Sequence, residues 1–385
     1  MKIAIFITVL MLSGLSCIGK KPIKILVSNP LAIDRLNEIV ELPISELENR
    51  IILQDGMSVL VKNQAGTIIP SQVTYDGKLI FLFSVKKNDT VSYTISVDTL
   101  RTYESQVFGR HYPERKGDFA WENDRVGFRF YGKELKEIQA PTSALDLWYK
   151  RTDKLVLDEW YRKDLSGEAS YHVDHGEGCD PYGVGQTLGG GNMAIFADSI
   201  LHLNENFESF EVLDNGPLRV TFRLTYPALI INGQEIAETK TVSLDAGSQL
   251  TKIVQEYTVS EPLVVVAGFP KRQTGDSTLY QKGQNYFVYQ EPVSEENGQI
   301  YLGILIPEGI DHVFISEKTQ IGNATTTLTS QPNVVASTTY TSNKPIVYYT
   351  GFGWNKYGFE SVEAFDKYMQ EHSQKLEQPL TITIK

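Results

Sequence analysis

Cysteine is nearly absent from this chain: 385 residues carry two, Cys17 and Cys179. With Cys17 inside a leader-like segment, no intrachain disulfide is expected, and the fold must rest on its apolar core. A chain of this length can bury such a core as one large domain or two packed ones. Long apolar runs are equally scarce. Residues 3–16, behind Lys2, form the one candidate, and it is too short to span a bilayer. Positive charge is in deficit, with 36 Lys and Arg against 47 Asp and Glu and a formal net charge of -11. That balance argues against a nucleic acid or an anionic lipid surface as partner. It leaves room for an anionic substrate, because a local arginine or lysine pocket can outweigh the global charge. Helical periodicity, internal repeats and low-complexity tracts are missing over most of the length. The run GVGQTLGGG (residues 183–191) lacks the strand–turn–helix setting and the following lysine of a phosphate loop. No nucleophile elbow is present for Ser-His-Asp chemistry.

What is there begins with residues 1–17, which read as a secretory leader. Leu15-Ser16-Cys17 resembles the lipobox of bacterial lipoproteins, with Gly14 where an aliphatic residue is usual. The expectation is an exported protein, periplasmic or outer-membrane-anchored in a Gram-negative bacterium. Its membrane contact would then run only through a lipid on Cys17.

The remainder reads as mainly β: an antiparallel sandwich with few helices. Residues 56–99 form a meander of β-branched and aromatic residues with turns at Gln64-Ala65-Gly66, Asp76-Gly77 and Lys87-Asn88-Asp89. Residues 22–100 are accordingly expected to form an N-terminal β-sheet portion, and 101–385 the main β portion holding the site. In residues 125–131, Val126, Phe128 and Phe130 alternate with Arg125, Gly127, Arg129 and Tyr131, the pattern of a half-buried strand. Residues 144–150, ALDLWYK, form another short apolar segment. Strands resume after residue 218, with turn signals about every ten residues, as in all-β sandwiches. One helix is expected near the end, capped by Ser361, with Glu363 in its first turn and Val362, Phe365, Met369 and His372 at helical spacing. A final strand follows.

The stretch the chain is organised around is residues 170–192, SYHVDHGEGCDPYGVGQTLGGGN. It holds His172 and His175 with Asp174, Glu177 and Asp180 between and after them, then a glycine-rich run. Acids and imidazoles are costly to bury unpaired, and glycines weaken a regular element, so the segment reads as a loop carrying chemistry. In a strand, His172 and His175 would face opposite ways; a bend at Gly176 or Gly178 lets them converge. His172, Asp174, His175 and Glu177 are then the residues to hold a divalent metal ion, if one is used, although their spacing matches no standard zinc motif. Without a metal, the same groups suit proton transfer.

The strings GDFAWENDRVGFRFYG, LDLWYKR, YHVDHGEGCDPYGVGQTLGGGNMAIF and GPLRVTFRLTY together resemble the bacterial family known as domain of unknown function 4861. The resemblance covers most of the chain after the leader. It implies an exported Bacteroidetes-type protein associated with enzymes for uronic-acid-rich glycans. The N-terminal meander and GSQLTKIVQEYTVSEPLVVVAGFPK resemble the galactose-mutarotase-like super-sandwich, which hosts epimerases, lyases and carbohydrate-binding domains. A fold of that kind points to a carbohydrate and fixes no reaction.

Cleavage beside a uronate by β-elimination needs three groups: a cation to neutralise the carboxylate, a base for the C5 proton, and an acid for the leaving oxygen. His172 or His175 is a candidate base and Tyr182 a candidate acid. Arg110, Arg219, Lys240 and Arg272 are candidate cations. Hydrolysis needs two flanking carboxyl groups, for which Glu177 and Asp180 are candidates. An epimerase would pair a histidine with a glutamate, for example His175 with Glu256. A non-catalytic glycan binder would use exposed aromatics instead. Trp354, between glycines in GFGWNKYGF, is the tryptophan expected to be most exposed, and His111 beside Arg110 marks a second candidate subsite.

Overall fold

The computed structural model describes residues 22–47, 50–51, 55–323, 328–329, 331–342 and 344–385. The leader expected over residues 1–17 lies outside the described residues. No helix among them is long and apolar enough to cross a membrane.

The protein is mostly β, arranged in several antiparallel sheets. At one end, strands Ile23–Ser28, Met57–Lys62, Ile68–Ile69 and Thr90–Thr99 form one sheet. Arg35–Pro43, Ser71–Val73 and Lys78–Val85 form a second. Alternation makes these a small sandwich: Ile23, Ile25 and Val27 turn inward to meet Val40, Leu42, Phe81 and Phe83. The last strand, Thr381–Ile384, pairs with Ile23–Ser28, so the two ends of the described chain join one sheet.

The larger body stacks three sheets. One has eight strands, from Ser209–Asn215 at one edge to Ser277–Leu279 at the other. Another has seven strands and includes Met193–Ala197, Leu263–Pro270 and Asn333–Tyr340. The third has five strands in the order Gly178–Cys179, Asp146–Lys150, Gly127–Phe130, Asp118–Asn123 and Val107–Tyr112. Its inner face carries Trp121, Phe128 and Phe130 against Phe222 and Phe352 of the eight-stranded sheet.

The strand Gly127–Phe130 is buried on both faces, where alternation predicts one face in water. The cover is a helix the sequence reading does not anticipate, α1, Leu157–Ser166. Its Leu157, Trp160 and Tyr161 pack with Tyr112, Trp148 and Tyr171 on the sheet's outer side, Trp148 and Trp160 stacking at 5.6 Å. The helix starts where Glu122, itself in a strand, accepts hydrogen bonds from the amides of Val156 and Leu157 at 2.7 and 2.8 Å. A carboxylate there satisfies two otherwise unpaired donors and complements the helix dipole. Lys150 balances its charge at 2.6 Å.

The expected C-terminal helix is present as α2, Val362–Glu377, with Ser361 accepting from the amide of Ala364. Its Phe365 and Met369 lie against the eight-stranded sheet. This docking corrects the expectation for Trp354, which is 2 % exposed. The glycines around it make room for protein: a Cβ on Gly353 would stand 2.7 Å from the Phe365 ring. The Trp354 indole N–H donates to the Asn297 carbonyl at 2.6 Å, so the ring is fully used inside.

Candidate functional site

The central loop enters the five-stranded sheet as its edge strand, Gly178–Cys179, pairing with Tyr149 and Lys150. Gly178 has φ 112, and a Cβ on it would lie 1.9 Å from the Tyr149 carbonyl oxygen, so only glycine permits this approach. The next residue, Asp180, is thereby set beside Asp146 on the neighbouring strand. Beyond it, residues 187–192 run buried through the body, where the sequence reads a loop.

Four charges meet at this edge. Arg129, 4 % exposed, donates through one terminal nitrogen to Asp146 at 2.5 Å and to Asp180 at 2.9 Å. Asp118 stands 3.8 Å from its other terminal nitrogen. Three carboxylates around one buried guanidinium cannot all ionise cheaply. Burial raises the pKa of Asp118 to about 6, against the opposing pull of Arg129. Burial also raises that of Asp146. Burial and then the Asp146 charge hold Asp180 well above the ordinary range. Asp146 and Asp180 share that nitrogen and titrate as a pair, whose proton affinity burial and mutual repulsion raise.

A raised value in the folded state means stability present below the ordinary 3.8 and lost as pH rises through about 6. Asp118→Asn should therefore flatten the decline of unfolding free energy between pH 4 and 7. The difference expected is on the order of 2–3 kcal/mol. Urea titrations of both proteins across that range measure it, and parallel curves would refute the account.

Above Asp180 opens a cavity of about 620 Å³ lined by Arg115, Arg129, Tyr131, His172, Asp180 and Tyr182 among others. His172 holds its ring by a 2.7 Å contact from Nδ1 to the Asp180 carbonyl oxygen. A carbonyl can only accept, so Nδ1 carries the hydrogen, and in the neutral ring Nε2 is left with a lone pair. Tyr171 supports both arginines: its hydroxyl accepts from Arg115 at 3.2 Å and from Arg129 at 3.4 Å. Its ring packs on the His172 ring at 4.5 Å. The terminal nitrogens of Arg115 make no ion pair among the described residues. Tyr182 is buried, and burial and the nearby Glu291 keep its phenol protonated. Its hydroxyl points to the Gly189 carbonyl at 3.4 Å.

Of the sequence-derived candidates, His172, Asp180 and Tyr182 share this cavity. Arg272 adjoins it, its guanidinium 5.5 Å over the Tyr182 ring and held by Glu291 at 2.7 Å. His175 and Glu177 line a separate cavity of about 80 Å³ beside Trp160. Asp174 accepts from the amides of Gly176 and Gly178 and pairs with Arg151 at 3.0 Å, which makes it a turn-former. Glu177 pairs with Lys154 at 3.2 Å. The four proposed metal ligands thus turn to four different partners. Among the described residues no group of three or more His, Cys, Asp or Glu could hold a metal ion.

The other candidates stand elsewhere. Arg110 is engaged by Asp158 and Glu114 at 2.7 and 2.6 Å, and His111 stacks on Phe210 at 4.4 Å. Lys240 is wholly buried against Glu238, and burial lowers its proton affinity. Arg219 is gripped by Asp245 and Glu41 near the small sandwich. Cys179 is buried, its thiol pushed up to about 12. His175 and Glu256 line different cavities, so the epimerase pairing is not assembled. Sequence reasoning passed over Arg115, Asp118, Arg129, Tyr131 and Asp146. A signal existed for three of them: KGDFAW, GFRFYG and ALDLWYK set Asp118, Arg129 and Asp146 next to apolar strand residues, where a buried counter-charge is the usual reason.

A family model described as "Domain of unknown function (DUF4861)" matches residues 27–382. The uncharacterized protein P7 of Formosa agariphila is 30% identical over 285 residues, 72% of this chain and 69% of that protein. Among solved structures, a protein in glycosyl hydrolase family 38 from Enterococcus faecalis superposes with a TM-score of 0.53 at 11% identity. The superposition covers 94% of this chain and 47% of that one. An alpha-mannosidase from Enterococcus faecalis V583 superposes with a TM-score of 0.51 at 10% identity, covering 94% and 46%. The chain spans about half the length of these two structures, and at such identities the likeness is one of fold.

Proposed function

The chain belongs to the family described as domain of unknown function (DUF4861), and from the site it carries we propose that it cleaves uronate-containing oligosaccharides by β-elimination. The observation that carries this reading is one cavity holding three complementary groups: the unpaired end of Arg115, the bare Nε2 of His172 and Asp180, whose proton affinity burial and the Asp146 charge raise. Arg115 offers a planar fork for the uronate carboxylate, which lowers the cost of placing carbanion-like charge at C5. His172 Nε2 takes the C5 proton as the C4–C5 double bond forms. The C4–oxygen bond breaks, and the leaving oxygen receives a proton from Asp180, with Tyr182 beside it as the alternative donor. The Nδ1–H bond to the Asp180 carbonyl fixes the ring that must become imidazolium.

Hydrolysis asks for two carboxyl groups flanking the scissile bond. Asp180 lines the cavity, whereas Asp146 is wholly buried and does not line it. That arrangement favours elimination. The fold likeness to glycosyl hydrolases supports a carbohydrate as substrate, and the leader-like residues 1–17 put the activity outside the cytoplasm in the same proposal.

The test is incubation of the protein from residue 18 onward with pectin-, alginate- and glycosaminoglycan-derived oligosaccharides. Ultraviolet absorbance of unsaturated uronate and product mass are followed together. New absorbance without added water mass is expected. Added water mass without absorbance would replace elimination by hydrolysis, and an unchanged panel with clear binding would make the protein a glycan binder. Arg115→Met should raise KM and lower kcat on uronate substrates, because the lost cation serves both binding and the charged intermediate. A wild-type kcat/KM in that variant would remove Arg115 from the proposal.

A further inference from the structure

A second cavity, of about 410 Å³, lies where the small sandwich, the eight-stranded sheet and α2 meet. Its volume is within the usual range for small-molecule sites, roughly 300–1,000 Å³. Four cations line it, and three are matched. Arg35 and Lys375 share Glu38 at 2.8 and 2.7 Å. Arg219 takes both oxygens of Asp245 and reaches Glu41 at 2.6 Å. The fourth, Lys252, lies on the strand Leu250–Tyr257 between Ser243 and Tyr349, and its side chain has no hydrogen bond or ion pair among the described residues. His372 adds no charge, since burial and the nearby Lys375 depress its titration to about 4. The cavity therefore carries one positive charge without a partner, beside the rings of Tyr349 and Tyr368.

We propose that this cavity is a second binding site, for a sugar residue bearing one carboxylate, with Lys252 as the anchoring cation. A half-buried ammonium with no direct ion pair is unfavourable, and burial lowers its proton affinity here, against the pull of Glu41 and Asp245. A single carboxylate removes that penalty and restores neutrality. The tyrosine rings offer flat apolar faces of the kind that stack on sugars, and their hydroxyls offer hydrogen bonds. A purely structural lysine would be expected to pair with a nearby carboxylate, Glu41 or Asp245, and this one pairs with neither.

The site is independent of the His172 cavity, and the experiment keeps the two apart. Sodium glucuronate is titrated calorimetrically into the full chain in the Arg115→Met background, with glucose as the neutral control. Glucuronate should bind and glucose should not. Adding Lys252→Met should weaken glucuronate by roughly tenfold or more, the value of one charge-assisted hydrogen bond. Lys252→Met should also raise Tm in the absence of ligand, because it removes an unpaired half-buried charge. Lys252→Gln serves if the methionine variant folds poorly. Equal binding of both sugars, no binding, or unchanged affinity on losing Lys252 would overturn the proposal. Loss of oligosaccharide cleavage on Arg115→Met, with this binding intact, would leave it standing.

Discussion

His172→Gln lowers the rate of uronate elimination by about 10³-fold, within the range that a positioned general base contributes. The amide of glutamine can still donate to the Asp180 carbonyl, which His172 Nδ1 meets at 2.7 Å, so the local backbone keeps its partner. It cannot accept a proton at the position of Nε2. Folding should be little affected, because the His172 side chain is 59% exposed and makes no contact the core relies on. The loss should therefore appear in kcat with KM nearly unchanged. His175→Gln is the internal control: His175 lines the separate small cavity and contacts the Ser170 carbonyl at 3.2 Å, and its replacement should leave the rate within about twofold. Initial rates by ultraviolet absorbance, with Tm as a check on folding, distinguish the outcomes. A His172→Gln enzyme at wild-type rate would remove the imidazole from the chemistry, and equal losses in both variants would point to the loop's conformation instead.

The two histidines differ in a way the sequence does not disclose, and the reason lies in how the loop is anchored. Residues 170–192 announce themselves as a site by their density of acids, imidazoles and glycines. Which of those groups reach the cavity depends on the edge pairing of Gly178–Cys179 with Tyr149 and Lys150. That pairing turns Asp180 inward and leaves Asp174 and Glu177 to surface arginine and lysine partners. Long-range pairing of this kind leaves no periodic trace. The β class and the cap of α2 at Ser361 are legible because alternation and capping are local. The partners of Asp180 are not, because Arg129 sits at a position that alternation alone sends to water. Helix α1 reverses that by covering the outer face. Its own signal, Leu157, Trp160 and Tyr161 at helical spacing before Gly167, is short enough to be lost among strands. Trp354 shows the converse error. Glycines flanking an aromatic suggest exposure, yet here they make space for α2.

Arg129→Met should be the most destabilising single change at this site. The side chain is 4% exposed and its carboxylate partners Asp118, Asp146 and Asp180 are 0%, 0% and 2% exposed, so water solvates them poorly in place of the guanidinium. Methionine fills much of the volume, which separates the charge effect from a cavity effect. Removing one partner from a buried ionic cluster costs about 3–5 kcal/mol, because the remaining charges are left uncompensated. The carboxyl groups have one escape, which is to bind protons. Their raised values in the folded protein already show that tendency, with Asp118 at about 6 even while Arg129 is present. Without Arg129 the folded state should hold more protons than the unfolded one over a wider range. Stability must then fall as pH rises, and the loss should be smallest near pH 4 and largest above neutrality. Urea denaturation of Arg129→Met and wild type at pH 4.5 and 7.5 measures both parts. A loss below about 1 kcal/mol at both values would mean the cluster is better solvated than its burial indicates. A large loss independent of pH would assign the damage to packing. The expected result, a large loss that shrinks in acid, ties the raised proton affinity of the Asp146–Asp180 pair to the same electrostatics that keep the strand edge folded. The proton that Asp180 would deliver to a leaving oxygen is then favoured by burial and by three carboxylates sharing a single buried cation.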